Sequence, residues 1–147
     1  MTTSSVHLKA PLRGARPSEA VSRFFRKYAT FSGRASRSEF WWAYLLVTGV
    51  YIVLYIALTV GTLASAGVDA YGNPTTGVAG AIFAPLLFVW GAGTLIPMLA
   101  LIWRRLHDTN RSGAFFFLTL VPVVGGLILL VLLALDSDPA GAYHDQL

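Results

Sequence analysis

The sequence predicts an all-α membrane protein with three transmembrane helices preceded by a short, basic amphipathic helix at the membrane interface. The 147 residues are 55% hydrophobic and 12% charged, whereas a soluble domain is about 25% charged. The charges are also segregated, since residues 40–68, 70–103 and 112–135 contain no Asp, Glu, Lys or Arg. Each block exceeds the roughly 20 apolar residues that cross a hydrocarbon core as a helix.

The N-terminal 17 residues are polar, contain Pro and Gly, and follow no helical or strand period. We therefore expect residues 1–17 to form a flexible tail. They lack the short apolar segment and small-residue cleavage site of a secretory signal, so we expect this end to be retained. A single membrane domain is predicted over residues 18–136, followed by a short acidic tail over residues 137–147.

An amphipathic helix is predicted over residues 18–30, with Ser18 as N-cap and Glu19 in its first turn. Apolar residues recur on one face and basic residues on the other, which is typical of a helix in the lipid headgroup region. Packing on other protein is the alternative. The residues expected at this interface are Arg23, Phe24, Phe25, Arg26, Lys27 and Tyr28.

The first span is predicted near residues 41–62. Ser36 and Glu39 have the spacing of a capping box directly before the apolar run. Trp41 and Trp42 follow, and such rings favour the membrane interface. These three features together predict where the helix enters the membrane.

One face of the first span carries hydroxyl groups, because Tyr44, Thr48, Tyr51 and Tyr55 are spaced at i, i+4, i+7 and i+11. Hydroxyls that faced lipid would lack partners. We therefore expect this face to form hydrogen bonds between helices. The alternative is a polar lining for a transported solute.

Two further spans are predicted near residues 82–103 and 114–135. The second span contains Pro85 and Pro97, and the third contains Pro122. Proline removes a backbone hydrogen bond and kinks a helix. We expect kinks without a transport role, although broken helices do build transporter sites.

Charge predicts the orientation. Residues 1–39 contain eight Lys or Arg and two Glu, a net charge of +6 (8 − 2), which favours the cytoplasmic side. The connector 63–81 contains only Asp69, which suits the far side. Three spans then place the acidic tail outside, whereas an even number would return it to the cytoplasm.

The stretch from Arg104 to Gly113 should emerge on the same side as residues 31–42, because two spans separate them. The two segments together form a predicted charged cluster of Arg34, Arg37, Glu39, Arg104, Arg105, His107, Asp108 and Arg111. Ion pairing that fixes the fold is the first expected role. Binding of lipid phosphates or of an acidic protein segment is the second, and acid–base chemistry at His107 is the third.

Several other functions are disfavoured. No ionisable group lies within the predicted spans, where ion or proton pathways usually place one. His7, His107 and His144 lack the spacing of metal ligands, and there is no cysteine. We therefore expect no catalytic residue, no metal and no cofactor. The apolar face of the basic helix also favours lipid over nucleic acid.

Two motifs carry a family resemblance. They are Phe31-Ser32-Gly33-Arg34-Ala35-Ser36-Arg37-Ser38-Glu39-Phe40-Trp41-Trp42 and Arg104-Arg105-Leu106-His107-Asp108-Thr109 with Arg111-Ser112-Gly113. In these motifs, and over roughly residues 24–136, the chain resembles the domain of unknown function 805 family of small bacterial inner-membrane proteins. The resemblance implies a multi-pass protein of the bacterial cytoplasmic membrane without established enzymatic activity or cofactor. The chain departs from the family at Ala114-Phe115-Phe116, where tryptophans are common, and in its C-terminal tail.

Taken together, these features favour a structural or interaction component of the cell envelope that is not an enzyme. Its arginine-rich cytoplasmic face is expected to contact anionic lipid headgroups or a partner protein, and a homo-oligomer is a further possibility. The alternative is a small transporter or channel subunit that uses the Tyr44, Tyr51 and Tyr55 face and proline-kinked helices.

Overall fold

The computed structural model describes residues 10–75 and 77–141, and it is mostly helical. Its elements are α1 (Pro17–Arg26), α2 (Arg37–Ser65), β1 (Gly67–Val68), β2 (Pro74–Thr75), α3 (Gly77–Asp108), a 3-10 helix (Gly113–Leu120) and α4 (Val124–Ala134). Two helices, α2 and α3, are long and apolar enough to cross a membrane. They have 29 and 32 residues, or about 44 and 48 Å.

The apolar surface of the two long helices is mostly uncovered by protein. Only 11% of the most apolar stretch of α2 and 22% of that of α3 is buried. A helix that was apolar all round in a soluble domain would be buried by its neighbours. Lipid is therefore the solvent that suits these side chains. Both helices extend beyond the predicted spans 41–62 and 82–103, and α3 continues through Pro85 and Pro97.

The described chain divides into two units, the first containing residues up to 44 and from 96 onward, and the second residues 45–95. In the second unit, α2 and α3 approach closely at small residues. Trp90 Nε1 donates to the Val47 carbonyl at 3.3 Å, and a Cβ at Gly61 would overlap Ala79. The small residue Gly61 thus allows the two helix backbones to approach closely.

The hydroxyl-bearing face of α2 is only partly used between helices. Tyr51 directs its hydroxyl at Gly91, where any Cβ would collide with it. Tyr55 is 64% exposed, so it does not take part in the expected hydrogen bonds between helices. Thr59 and Ser65 instead donate to carbonyls of their own helix, of Tyr55 and Gly61 respectively.

A small β-hairpin connects α2 to α3. Gly67 pairs with Thr75 and Val68 with Pro74 in antiparallel register. The Asp69 carboxylate accepts hydrogen bonds from the backbone N–H groups of Tyr71 and Asn73 at 2.8 and 2.9 Å. Hydrogen bonds from the Asn73 side chain and from these two N–H groups hold the pKa of Asp69 below its ordinary value.

In the first unit, α1 begins one residue earlier than predicted. Its cap is Arg16, whose N–H donates to Glu19 Oε2 at 2.8 Å. The prediction of Ser18 as N-cap is therefore wrong, because Pro17 takes the first helical position, where its missing N–H costs nothing. The helix also ends earlier, at Arg26 rather than near residue 30.

The apolar face of α1 packs on protein, which was the alternative to lipid contact. Ala20 and Phe24 are each 1% exposed. Lys27, predicted on the basic lipid-facing side, is buried at 4% exposure, so that assignment is wrong. Phe25 and Tyr28 remain exposed at 42% and 38%.

The segment before α1 is held against the start of α2. Leu12 N–H donates to Glu39 Oε2 at 3.0 Å, and Ala15 N–H donates to Ser38 Oγ at 2.9 Å. Residues 10–16 therefore differ from the flexible tail predicted for 1–17, because polar groups at the start of α2 satisfy their backbone. The remainder of that predicted tail, residues 1–9, lies outside the described residues.

The third apolar block does not form one helix. The 3-10 helix Gly113–Leu120 and α4 (Val124–Ala134) pack against each other as a helical hairpin, residues 113–135. At about 2.0 and 1.5 Å per residue, each arm is about 16 Å long, half of a hydrocarbon core. The single helix that the predicted third span over 114–135 requires is therefore not formed.

The hairpin reverses at a γ-turn. Val124 N–H donates to the Pro122 carbonyl at 2.7 Å, and the central residue Val123 has φ 64° and ψ −60°. This backbone conformation is strained for a β-branched residue. Pro122 has no backbone N–H, so the turn contains one fewer hydrogen-bond donor that would need an acceptor in an apolar environment.

Both ends of the helical hairpin lie at the C-terminal end of α3. A Cβ at Gly113 would overlap the Trp103 ring, and Asp138 N–H donates to the Asp108 carbonyl at 2.8 Å. The described part of the acidic tail therefore lies beside the charged C-terminal end of α3. Three full spans would have placed the tail and this end of α3 on opposite sides of the membrane. The Pro-Gly content of residues 122–126 explains the difference, because it allows the chain to reverse within the block.

Adjacent glycines in α4 provide a test of the hairpin. A Cβ at Gly125 would overlap the Leu118 carbonyl of the 3-10 helix, whereas one at Gly126 meets nothing within 4 Å. Gly125→Ala should lower the free energy of unfolding by about 1–3 kcal/mol through overpacking. Gly126→Ala should leave it unchanged or raise it slightly. Thermal denaturation in detergent measures both, and equal losses would contradict the close packing of the two arms.

Candidate functional site

The candidate site is a buried charged cluster at the C-terminal end of α3. Asp108 is 0% exposed and lies next to Arg105, also 0% exposed. Asp108 Oδ2 accepts hydrogen bonds from Arg105 Nη1 at 2.5 Å and from Ser137 Oγ at 2.6 Å. Its other oxygen lies 3.9 Å from Arg34 Nη1. We refer to Arg34, Arg105 and Asp108 as the Asp108 cluster.

Arg105 joins three separate segments of the chain. Its Nε donates to the Leu133 carbonyl at 2.9 Å, and its Nη2 donates to the Leu135 carbonyl. Its Nη1 also donates to the Ala35 carbonyl at 3.4 Å. The last carbonyls of a helix lack partners within it, and a cation there is favourable. Arg105 thus binds the end of α4 to α3 and to the segment before α2.

A second group of charges surrounds Glu39, and we call Arg23, Ser36 and Glu39 the Glu39 cluster. Glu39 N–H donates to Ser36 Oγ at 3.2 Å, and Ser36 N–H donates to Glu39 Oε2 at 3.0 Å. The predicted capping box is therefore confirmed. Glu39 also forms an ion pair with Arg23 of α1. Because Glu39 is only 3% exposed, this pair joins α1 to α2 in a desolvated setting.

Arg104 directly precedes Arg105 in α3 and is 2% exposed. Its Nε donates to the Ala100 carbonyl at 3.1 Å, and its carbonyl accepts from Ala35 N–H at 3.1 Å. The Glu39 carboxylate interacts with it electrostatically. The hydrogen bond to Ala35 confirms the predicted meeting of the two charged segments.

The other predicted site residues have different surroundings. His107 Nδ1 lies 3.3 Å from the Gly33 carbonyl, and Gly33 adopts φ 81°. Arg111 lies over the Phe115 ring at 5.8 Å. Arg37 is 51% exposed and pairs with Asp136 at 2.9 Å. Arg37 and Arg111 therefore do not belong to the two buried clusters.

Sequence reasoning missed the contribution of the C-terminal segment. The Leu133 and Leu135 carbonyls and the Ser137 hydroxyl all bind the Asp108 cluster. Backbone carbonyls leave no mark in a sequence. The three acids after residue 135 were an available signal, but the assumption of a third span placed them on the other side.

His107 and Asp108 have different hydrogen-bond partners. His107 Nδ1 lies 3.3 Å from the Gly33 carbonyl, while Asp108 binds Arg105 and Ser137. Within residues 10–75 and 77–141, no group of three or more His, Cys, Asp or Glu side chains could hold a metal ion.

Two cavities adjoin these clusters. One, of about 380 Å³, is polar and lies between the start of α2, the segment before α1 and the C-terminal segment. The other, of about 180 Å³, is apolar and lies among α2, α3, the 3-10 helix and α4.

The fold and site together define a helical integral membrane protein with a buried network of ion pairs at one end. The chain belongs to the family described as Protein of unknown function (DUF805), whose model matches residues 28–146. The match begins after α1 and includes the acidic tail, which the resemblance in the sequence motifs did not cover.

The relatives are inner membrane proteins. The chain is 38% identical over 106 residues to Inner membrane protein YhaI of Escherichia coli (strain K12), which covers 72% of this chain and 75% of the relative. It is 29% identical over 109 residues to Inner membrane protein YhaH of the same strain, covering 74% and 78%. No solved structure matches the chain.

Proposed function

We propose that this protein is a non-enzymatic structural or interaction component of the inner membrane that contacts anionic lipid headgroups with its charged end. The observation that carries the proposal is that some arginines are buried in the protein while others are exposed at its surface. Arg104 and Arg105 are buried and form hydrogen bonds to the protein's own backbone. Arg13, Arg16 and Arg26 are exposed, and exposed cations near an anionic leaflet attract lipid phosphates.

We further propose that α2 and α3 cross the membrane and that the helical hairpin, residues 113–135, enters and leaves it on one side. The +6 charge of residues 1–39 favours the cytoplasm for this side. The β-hairpin then faces the opposite side. The contact between Asp138 and Asp108 supports a cytoplasmic C-terminal segment. Exposed apolar residues such as Leu120 and Leu127, at 77% and 63%, suit a hairpin in lipid.

In this arrangement α1 lies partly on the protein and partly in the interface. Its Ala20 and Phe24 pack inward, while Phe25 and Tyr28 are exposed beside Arg26. Aromatic rings at the headgroup level are a common membrane anchor. The proposed lipid contact is therefore smaller than the sequence alone predicts, because Arg23 and Lys27 are withdrawn from it.

The exposed arginines test the lipid contact. Each should contribute about 1 kcal/mol to attraction by an anionic surface. Arg16→Gln with Arg26→Gln should therefore weaken phosphatidylglycerol binding to the detergent-purified protein by more than about tenfold. Native mass spectrometry with phosphatidylglycerol and phosphatidylcholine measures the effect.

The matched control is Arg16→Lys with Arg26→Lys, which keeps both charges and should retain phosphatidylglycerol binding. High salt should weaken the wild-type interaction, since exposed charges are screened. Equal binding of phosphatidylglycerol and phosphatidylcholine by the wild type would contradict the proposal.

A further inference from the structure

The polar cavity contains both signs of charge. Arg13, Arg37 and Asp136 all line it. The three side chains give a net charge of +1 (2 − 1). Ser36, Ser38 and Ser137 also line it, but the hydroxyls of Ser36 and Ser38 donate to the Leu12 carbonyl, and that of Ser137 donates to Asp108. The arginines are therefore the donors, and the Asp136 carboxylate the acceptor, that a ligand would meet.

The ion pair within this cavity is open to exchange. Arg37 Nη1 lies 2.9 Å from Asp136 Oδ1, with side chains 51% and 85% exposed. An exposed pair of this kind contributes only about 0–1 kcal/mol. A ligand that brings an anion for Arg37 and a cation for Asp136 can replace the pair without leaving either charge unpartnered.

The apolar cavity is lined by residues that are close in sequence to those of the polar cavity. Arg37, Phe40 and Tyr44 follow at i, i+3 and i+7 on α2, which places them on one helix face. Arg37 lines the polar cavity, and the other two line the apolar one. At the other wall, Leu133 lines the apolar cavity and Asp136, three residues later, lines the polar cavity. Neighbouring residues of the same two segments thus line a charged cavity and an apolar cavity of the first unit, and we refer to the two cavities together as the groove.

We propose that this groove binds one phospholipid whose headgroup carries a primary ammonium, such as phosphatidylethanolamine. Its phosphate would bind Arg37 and Arg13, its ammonium would bind Asp136, and one acyl chain would lie along Phe40, Tyr44 and Leu133. The inference rests on the proposed function, which places this end of the molecule in the headgroup layer.

The charge pattern selects among lipids. Arginine donors recognise phosphate through directed hydrogen bonds, and every phospholipid offers that group. Among the headgroups compared, only a primary ammonium also donates charge-assisted N–H hydrogen bonds to the Asp136 carboxylate, whereas glycerol hydroxyls donate uncharged ones. A choline headgroup is cationic but has no N–H, and phosphatidylglycerol brings no cation. Asp136 is therefore the residue that determines headgroup preference, while Arg37 determines phosphate binding.

Native mass spectrometry of the detergent-purified full chain tests the site by competition among phosphatidylethanolamine, phosphatidylcholine and phosphatidylglycerol. The wild type should retain phosphatidylethanolamine about tenfold more than phosphatidylcholine, the value expected for one charge-assisted contact. Asp136→Asn should abolish this preference without lowering phosphatidylglycerol binding. Asp138→Asn, the same change two residues later, should keep the preference.

Two further experiments test whether the phosphate comes from a lipid and whether the acyl chain contributes to binding. Soluble phosphoethanolamine should not displace the lipid, because it lacks the acyl chain. Gly126→Leu should reduce all lipid adducts, since Gly126 lines the apolar cavity and has open space around it. Gly126→Ala is its control and should retain them.

The outcomes separate this site from the broader proposal. An Asp136→Asn protein that keeps its phosphatidylethanolamine preference would overturn the site, as would a wild type that shows none. In both cases phosphatidylglycerol binding that depends on Arg16 and Arg26 would leave the proposed function intact. A wild type that shows no lipid adducts would overturn both the lipid site and the proposed function.

Discussion

Asp108→Asn is expected to lower the free energy of unfolding by about 3–5 kcal/mol, the range for removing one partner of a buried ion pair. The substitution keeps the side chain's shape but removes its charge. Arg105 would then remain 0% exposed beside a neutral amide. One amide oxygen also cannot replace a carboxylate that accepts from Arg105 and Ser137 and faces Arg34. Thermal denaturation in detergent and the protein's abundance in membranes measure the loss.

The same substitution at Asp136 is the matched control. Asp136 is also paired with an arginine, Arg37, but its side chain is 85% exposed. Asp136→Asn should therefore change stability by no more than about 1 kcal/mol. If the two variants lost equal stability, or if Asp108→Asn lost none, burial of the Asp108 cluster would not be what stabilises this end of the molecule.

Arg105→Lys separates charge from geometry. A lysine keeps the positive charge, but its ammonium has three donors at one point, whereas the guanidinium presents five in a planar fork. The acceptors of Arg105 lie on three segments, at Ala35, at Leu133 with Leu135, and at Asp108. We therefore expect this variant to lose stability as well, although it retains the pairing charge.

Features that depend on local chemistry were predictable from the sequence. The two long helices follow from uninterrupted apolar blocks, since a helix satisfies the backbone hydrogen bonds of such a block within one segment in lipid. The start of α2 follows from Ser36 and Glu39, which satisfy each other's N–H groups. The meeting of residues 33–39 with Arg104 and Arg105 follows from the even number of predicted spans between them.

The face that α1 buries was not predictable in the same way. Its period identifies an apolar face, but periodicity does not distinguish lipid from protein as the covering medium. Phe24 and Phe25 are neighbours in sequence, yet one is 1% and the other 42% exposed. The buried Glu39 carboxylate determines that protein covers the apolar face of α1, because its ion pair with Arg23 holds α1 on α2.

The reversal in the third block was also not predictable from composition. Residues 113–135 are apolar and long enough for a span, and Pro122 alone is compatible with a kink or with a reversal. What selects the reversal is the fit of Gly125 against the Leu118 carbonyl and the capture of the Leu133 and Leu135 carbonyls by Arg105. Both are contacts with other segments of the chain.

Single cysteines at Ser18, Tyr71 and Ala140 are expected to divide into two classes when treated with a membrane-impermeant maleimide. All three positions are exposed, Tyr71 at 91%, and the chain contains no other cysteine. Cysteines at 18 and 140 should react only after the inner membrane is opened. The cysteine at 71, in the β-hairpin, should react while the inner membrane is still intact.

The reactivity at position 140 distinguishes two crossings from three. A third crossing helix would move Ala140 to the side of Tyr71 and would expose it to the reagent without lysis. It would also separate Asp138 from the Asp108 carbonyl and Ser137 from the Asp108 carboxylate, leaving buried polar groups of α3 without partners at a cost of about 1–3 kcal/mol each. The same contacts that stabilise the charged end therefore oppose a third crossing. Labelling of position 140 together with 71 would show that they do not form in the membrane.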